Sequence, residues 1–255
     1  MSLAVQLRQV TALRYVTALR EGGSLPGLVE ADDDGLYVTK FRGAGQGLRA
    51  LVAEVIVGEL ARRLGLLVPE LVRIEIDPVL GAAEPDPEIQ ELITASAGTN
   101  LGVDFLPSAL PYSPAGSWQP DPELAADVVW LDALTTNVDR TPRNPNMLIW
   151  HGRLWLIDHG AALYLHHRGL VPAEQYDQPF RPIAEHVLLP RAGPVTAAHE
   201  RLAIKLDEAV LAATAASVPD DWFQGGDEAD VYVDYLNRRL RSGAFAIEAE
   251  RVRVA

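Results

Sequence analysis

Three oxygen-bearing side chains lie close together in the chain, with types and spacing suited to metal-assisted chemistry. Asp139 and Asn144 stand five residues apart, in Thr136-Asn137-Val138-Asp139-Arg140-Thr141-Pro142-Arg143-Asn144-Pro145-Asn146, and Asp158 follows in Asp158-His159-Gly160. Between them, the apolar runs Met147–Trp150 and Arg153–Ile157 are separated only by His151-Gly152. That pattern predicts a two-residue hairpin, because Gly at the second turn position accepts positive φ. With His151 and Gly152 at the tip, Met147 faces Leu156, and Asn144 and Asp158 emerge side by side at the open end. Two carboxylates and an amide oxygen then converge on one spot. Hard oxygen donors of this kind suit Mg²⁺, which is held by one or two protein oxygens plus substrate phosphates.

The elements that must position this set are legible at lower resolution. Asp121-Pro122-Glu123 has the chemistry of a helix start, and apolar residues at 124, 128, 131 and 134 continue a helix that ends just before Asp139. Upstream, Arg14–Leu19, Gly27–Glu30 and Leu36–Phe41 read as strands, with Asp32-Asp33-Asp34-Gly35 as a turn. The stretch 46–64 carries apolar residues at helical spacing and ends at Gly65, a C-cap. Leu71–Ile76 reads as a fourth strand, 81–87 as a loop, Asp86-Pro87-Glu88 as a helix start, and Gly102–Leu106 as a fifth strand. A Pro-, Ser- and Gly-rich connector (107–120) precedes a mostly helical half, with a long helical stretch over 195–218. The expected fold class is therefore α+β. A small antiparallel sheet with one main helix occupies 1–107, and a larger helical part occupies 108–255.

Composition narrows the function classes. With 22 basic and 35 acidic residues the net charge is −13, which disfavours binding to nucleic acid or to an anionic membrane. A small anionic ligand needs only a local set of donors and a metal. The chain has no cysteine, so thiolate chemistry is absent. Arg8 and Arg14 interrupt the apolar residues that a signal peptide would need, and no apolar run reaches the roughly 20 residues of a membrane span. The expectation is a cytoplasmic protein. The adjacent histidines His166 and His167 point in different directions and lack a third ligand at suitable spacing.

The order Asp, Asn five residues later, hairpin, Asp-x-Gly resembles a kinase catalytic loop and metal-binding triplet. The apolar lead into Asp158-His159-Gly160 and the pair Asp139-Arg140 are similar to the phosphatidylinositol-kinase form. Arg20–Pro26, Tyr37–Lys40, Gly43–Gly47 and Asn144-Pro145-Asn146 resemble HipA-like kinases, specifically a short single-domain bacterial group. That resemblance implies a bilobal protein-kinase-like fold and a phosphotransferase using ATP and Mg²⁺, with a protein serine or threonine as acceptor.

It further implies that Asp139 accepts or orients the acceptor's proton, while Asn144 and Asp158 hold the metal. Lys40 contacts the α- and β-phosphates, and strand alternation puts it on one face with Val38, which lies toward the adenine. Gly22, Gly23 and Ser24 supply backbone donors to the phosphates. Glu54 is the expected partner of Lys40, with Glu59 as the competing choice. Read without the resemblance, Glu54 sits on a helix's polar face or pairs with Arg49 or Arg62. His159 replaces the Phe of the commoner triplet, and no long activation loop with a clear phosphorylation site follows Gly160. A nucleotide-binding pseudokinase acting through a partner, and a small-molecule kinase, are the alternative functions.

Overall fold

The computed structural model describes residues 6–19, 25–169, 171–224 and 228–255. The chain divides into two compact units, one of Gln6–Leu51 with Pro69–Ser108 and one containing Val52–Val68 with Ala109–Ala255.

The first unit is built on five strands closed into a barrel in the order β1-β2-β3-β5-β4. These are β1 (Arg8–Ala18), β2 (Gly27–Ala31), β3 (Leu36–Lys40), β4 (Leu71–Ile76) and β5 (Gly98–Asp104). Four of the pairings are antiparallel, but Arg8–Thr11 of β1 run parallel to Val72–Glu75 of β4. The sheet is thus mixed rather than purely antiparallel: β1 extends further toward its start than its apolar pattern suggests, and the extra residues close the barrel. Closure leaves no strand edge to aggregate. Inside, Val10, Val29, Tyr37, Phe41, Val72 and Ile74 form the core with Ile89 and Ile93. The last two come from α2 (Pro87–Ala95), whose N-cap Asp86 accepts the Glu88 N–H, with Pro87 opening the helix. Residues 78–83, within or beside the expected loop, form a 3₁₀ helix capped by Asp77.

The helix α1 (Leu48–Leu64) belongs to the second unit from Val52 onward. Gly65 follows with φ +94, and the Leu66 N–H reaches back to the Ala61 carbonyl, the hydrogen-bond pattern of a left-handed helix stop. The central helix of the unit is α3 (Pro122–Leu134), with Asp121 as N-cap accepting the Leu124 N–H. From Val128 to Leu134 every residue is buried, so α3 is a core helix surrounded by protein rather than one with a solvent face. The hairpin forms with the expected register, β7 (Met147–Trp150) against β8 (Arg153–Leu156), Met147 opposite Leu156 and Trp150 opposite Arg153. His151 and Gly152 both have positive φ, +49 and +70, as a type I′ turn requires. A two-residue strand β6 (Leu110–Pro111) adds to β7 from within the connector. Its Pro111 lacks an N–H and can serve only at an edge, so the sequence hides it.

The expected helical stretch over 195–218 is broken into α4 (Val195–Leu202) and α5 (Glu208–Ala215). Asp207 starts α5 by accepting the Val210 N–H. Two further helices, α6 (Ala229–Ser242) and α7 (Ala244–Arg253), meet at Gly243, which takes a left-handed conformation. Among the described residues no helix is long and apolar enough to cross a membrane.

Candidate active site

Asp139 and Asn144 meet. Asn144 Nδ2 donates to Asp139 Oδ2 at 2.7 Å, and Asn146 Nδ2 donates to the same oxygen at 3.2 Å. The loop between them is short and doubly closed: the Thr141 N–H bonds the Asn144 carbonyl, and the Asn144 N–H bonds the Thr141 carbonyl, both at 3.1 Å. Pro142 and Arg143 form the turn tip, with Pro142 supplying the fixed φ that such a turn favours. Beyond Met147 the hairpin ladder continues one step, the Ile157 N–H reaching the Asn146 carbonyl at 3.1 Å. Asp158 comes next, with φ +55.

Positive φ at residues other than glycine is uncommon, yet Thr136, Asn146, Asp158 and Leu163 all adopt it within this one region. Thr136 is the costliest of these because it is β-branched. Its hydroxyl is paired with that of Tyr235 at 3.2 Å. Strained backbone persists only where its surroundings over-determine it, and it gathers at functional sites.

Glu54, the expected partner of Lys40, also contacts the Asp158 turn. It is buried at 2% exposure rather than on a polar helix face. Its two carboxylate oxygens accept the backbone N–H groups of His159 (2.9 Å) and Gly160 (2.7 Å). Glu54 therefore grips the turn that carries Asp158. Glu59, the competing choice, pairs with Arg62 at 3.4 Å. Lys40 ends β3 in the first unit, opposite Leu101 of β5. Val38 and Lys40 are both half-buried and alternate with the buried Tyr37 and Thr39, so the two share a face. Gly22, Gly23 and Ser24 lie outside the described residues.

The sequence missed a buried polar hub beneath the loop. Asp132, on α3, is fully buried, and Arg140 Nε donates to its Oδ2 at 2.5 Å. His186 bonds the same oxygen at 2.8 Å, and Asn137 Nδ2 bonds Oδ1 at 3.0 Å. The His186 tautomer follows from its second nitrogen: Nδ1 accepts the Leu188 N–H at 3.1 Å, so the proton sits on Nε2 and points at Asp132. Burial works against ionising Asp132, but the Arg140 charge and the His186 hydrogen bond overcome it and hold the carboxyl well below the usual carboxylate range. Burial pushes the His186 imidazole below its ordinary value against the pull of Asp132.

From this hub the order passes to the loop. Asn137 Oδ1 accepts the Asp139 N–H at 3.0 Å, and Arg140 Nη1 bonds the Asn146 carbonyl at 2.5 Å. Arg140 Nη2 also meets His159 Nδ1 at 3.2 Å. Arg140 thus ties the two halves of the site together, from Asp139 through Asn146 to the Asp158 turn. One signal was available in the sequence: an aspartate inside the apolar run Val128–Leu134 needs a buried cation, and Arg140 lies just downstream. His166, by contrast, packs its ring against Tyr232 and Tyr235, at centroid distances of 4.9 and 4.6 Å.

Comparison with known proteins agrees with this architecture. Among solved structures, the chain is similar to the Helicobacter pylori proinflammatory kinase CtkA, with a TM-score of 0.56 and 12% identity over 97% of this chain and 98% of that one. It is also similar to the Golgi casein kinase with Mn/ADP bound, with a TM-score of 0.50 and 15% identity over 97% of this chain and 74% of that one. At such identities the likeness establishes the bilobal kinase fold alone. No curated protein matches the chain. The model of the HipA-like kinase family matches residues 14–246, nearly the whole sequence, and the chain belongs to that family.

Proposed function

We propose that the chain transfers the γ-phosphate of ATP to a hydroxyl, most directly a serine or threonine of a protein, with Mg²⁺ as the metal. The supporting observation is the Asn144–Asp139 hydrogen bond. Because Asn144 Nδ2 is spent on Asp139, its Oδ1 is the atom left to face a cation, and an amide oxygen is a hard donor. Asp158 supplies the second, charged oxygen. This donor set fits Mg²⁺, which takes few protein ligands and shares the rest of its shell with phosphates and water. A Mg²⁺ held by Asn144 and Asp158 would supply charge neutralisation to the phosphate oxygens of ATP. The Golgi casein kinase, described with Mn and ADP bound, supports the same pairing of nucleotide and metal.

The remaining roles belong to the chain's own groups. Asp139 Oδ2 is held by two amides, and among the described residues no protein donor engages Oδ1. Oδ1 is then the oxygen that orients the acceptor hydroxyl and takes its proton. Family resemblance assigns Lys40 to the α- and β-phosphates, Val38 to the adenine, and Gly22, Gly23 and Ser24 to the phosphates. Glu54 serves the nucleotide site through the turn it grips. The reading takes 1–107 as the nucleotide-covering lobe and 108–255 as the catalytic lobe, and it is supported by a division of the chain into two compact units in which Val52–Val68 group with the second.

Glu54 gives a direct expectation. Glu54→Gln keeps the size but turns an NH₂ group toward one of two backbone donors, loosening the Asp158 turn. Calorimetric affinity for Mg-ATP should weaken by about 10- to 100-fold, as when the support of a metal ligand is removed. A folded variant with unchanged affinity would refute this role. To test the function itself, purified protein is incubated with labelled ATP, Mg²⁺ and a cell lysate, and labelled sites are sequenced. The proposal expects phosphoserine or phosphothreonine absent from the Asp139→Asn control. Label appearing only on small metabolites would transfer the assignment to a small-molecule kinase.

A further inference from the structure

Arg239, on α6, is 2% exposed and spends its guanidinium on backbone carbonyls. Its Nε donates to Leu134 O at 2.8 Å and its Nη2 to Ala133 O at 2.9 Å. Its Nη1 donates to Tyr176 O at 3.0 Å and to Gln178 O at 3.1 Å. Among the described residues no carboxylate lies within ion-pair distance, and Asp177 acts only at longer range. The cation also lies over the rings of Tyr235 and Phe245, 5.5 and 5.4 Å from their centroids.

Its two pairs of acceptors have distinct identities. Ala133 and Leu134 are the last residues of α3, where carbonyls lack helical partners and the helix dipole is negative. Five residues beyond Leu134 stands Asp139. Tyr176 and Gln178 belong to the stretch 161–194, which begins directly after Asp158-His159-Gly160. The far end of that stretch is tied to the same loop, by the Val187 N–H on the Arg140 carbonyl at 3.0 Å and by His186 on Asp132.

In kinases generally, a segment in this position is ordered when an added phosphate pairs with arginine. Here 161–194 contains no serine or threonine at all. Of its two tyrosines, Tyr176 is buried, its ring edge-on to Tyr235. Arg239, which reaches this stretch through the Tyr176 and Gln178 carbonyls, is already satisfied by the chain's own backbone.

Resting on the phosphotransfer reading above, we propose that Arg239 is a positioning residue for it. Its guanidinium ties the segment after Gly160 to the end of α3, so the site is held in working order without phosphorylation of that segment. A buried arginine can also act on stability alone, and the split between turnover and binding separates the two roles. Arg239→Lys keeps the charge but loses the planar fork that spans two pairs of carbonyls. Assayed well below its melting temperature, it should lose kcat by about 10-fold or more through misplacement of the loop, with Mg-ATP affinity kept. Unchanged kcat in the folded variant would overturn the proposal.

Two measurements on the wild-type chain stand beside it, whether or not the variant folds. Protein co-expressed with a phosphatase, and shown by mass to carry no phosphate, should reach full rate without a lag. A lag removed by prior incubation with ATP would contradict the proposal. Hydrogen exchange on the same sample reads the order that the tie imposes: the Tyr176 and Gln178 amides, bonded to the Ala173 and Gln175 carbonyls in the turns whose carbonyls Arg239 holds, should be protected, and rapid exchange there would overturn the tie even if no transfer activity were found. Absence of all transfer with protected amides would instead count against the phosphotransfer reading.

Discussion

Asp139→Asn is expected to lower the rate of phosphate transfer by about 10²- to 10⁴-fold, the usual contribution of a positioned base, while Mg-ATP still binds. The substitution is isosteric, and its surroundings dictate how it sits. Two amide N–H donors, from Asn144 and Asn146, converge on one side of the residue. The new amide must turn its oxygen toward them, which leaves the NH₂ group where Oδ1 had faced outward. The backbone anchor to Asn137 is untouched. The variant therefore keeps the loop and loses only the proton acceptor. Steady-state kinetics with calorimetry separates the outcomes: a fall in kcat with binding retained matches the assignment, and wild-type turnover would refute it.

Asp132→Asn should cost stability. It removes the carboxylate that pairs with Arg140 in a site that water does not reach, leaving a guanidinium and the His186 donor around a neutral amide. Breaking a buried pair in this way costs about 3–5 kcal/mol, a large share of the ~5–15 kcal/mol that holds a typical domain together. Denaturant unfolding would measure it, and a loss under ~1 kcal/mol would show the hub to be dispensable.

The same cluster fixes the pH response. The folded state holds His186 below its ordinary value of 6.5, so below that pH the unfolded chain takes up a proton that the native state refuses. Stability then falls as pH drops, by at most about 1.4 kcal/mol per pH unit for each such group. His199, also lowered by burial, adds a loss of the same sign. Asp132, depressed from 3.8, contributes stability that is present above that value and is lost only in stronger acid. Melting temperature should decline from pH 7 to 5, and His186→Gln should make the decline shallower. An unchanged slope in that variant would remove His186 from the explanation.

What was legible in the sequence was local. The hairpin register followed from alternation and one glycine, and the helix starts at Asp86 and Asp121 from a cap followed by proline. Strand ends were not legible: β1 begins at Arg8 rather than Arg14, and β5 runs Gly98–Asp104 rather than 102–106. Barrel closure, not local pattern, decides where those strands pair. The supports of the site were hidden for a related reason. Glu54 answers backbone N–H groups 105 and 106 residues away, and His186 reaches Asp132 across 54. Backbone partners leave no trace in residue identity, and a lone buried histidine reads like any other.

The most direct test of the central claim is ADP release from ATP by the purified chain, with and without Mg²⁺, beside the Asp158→Asn variant. The account predicts release that requires the metal and is lost in the variant. Release undiminished in Asp158→Asn, or proceeding without any divalent cation, would contradict it.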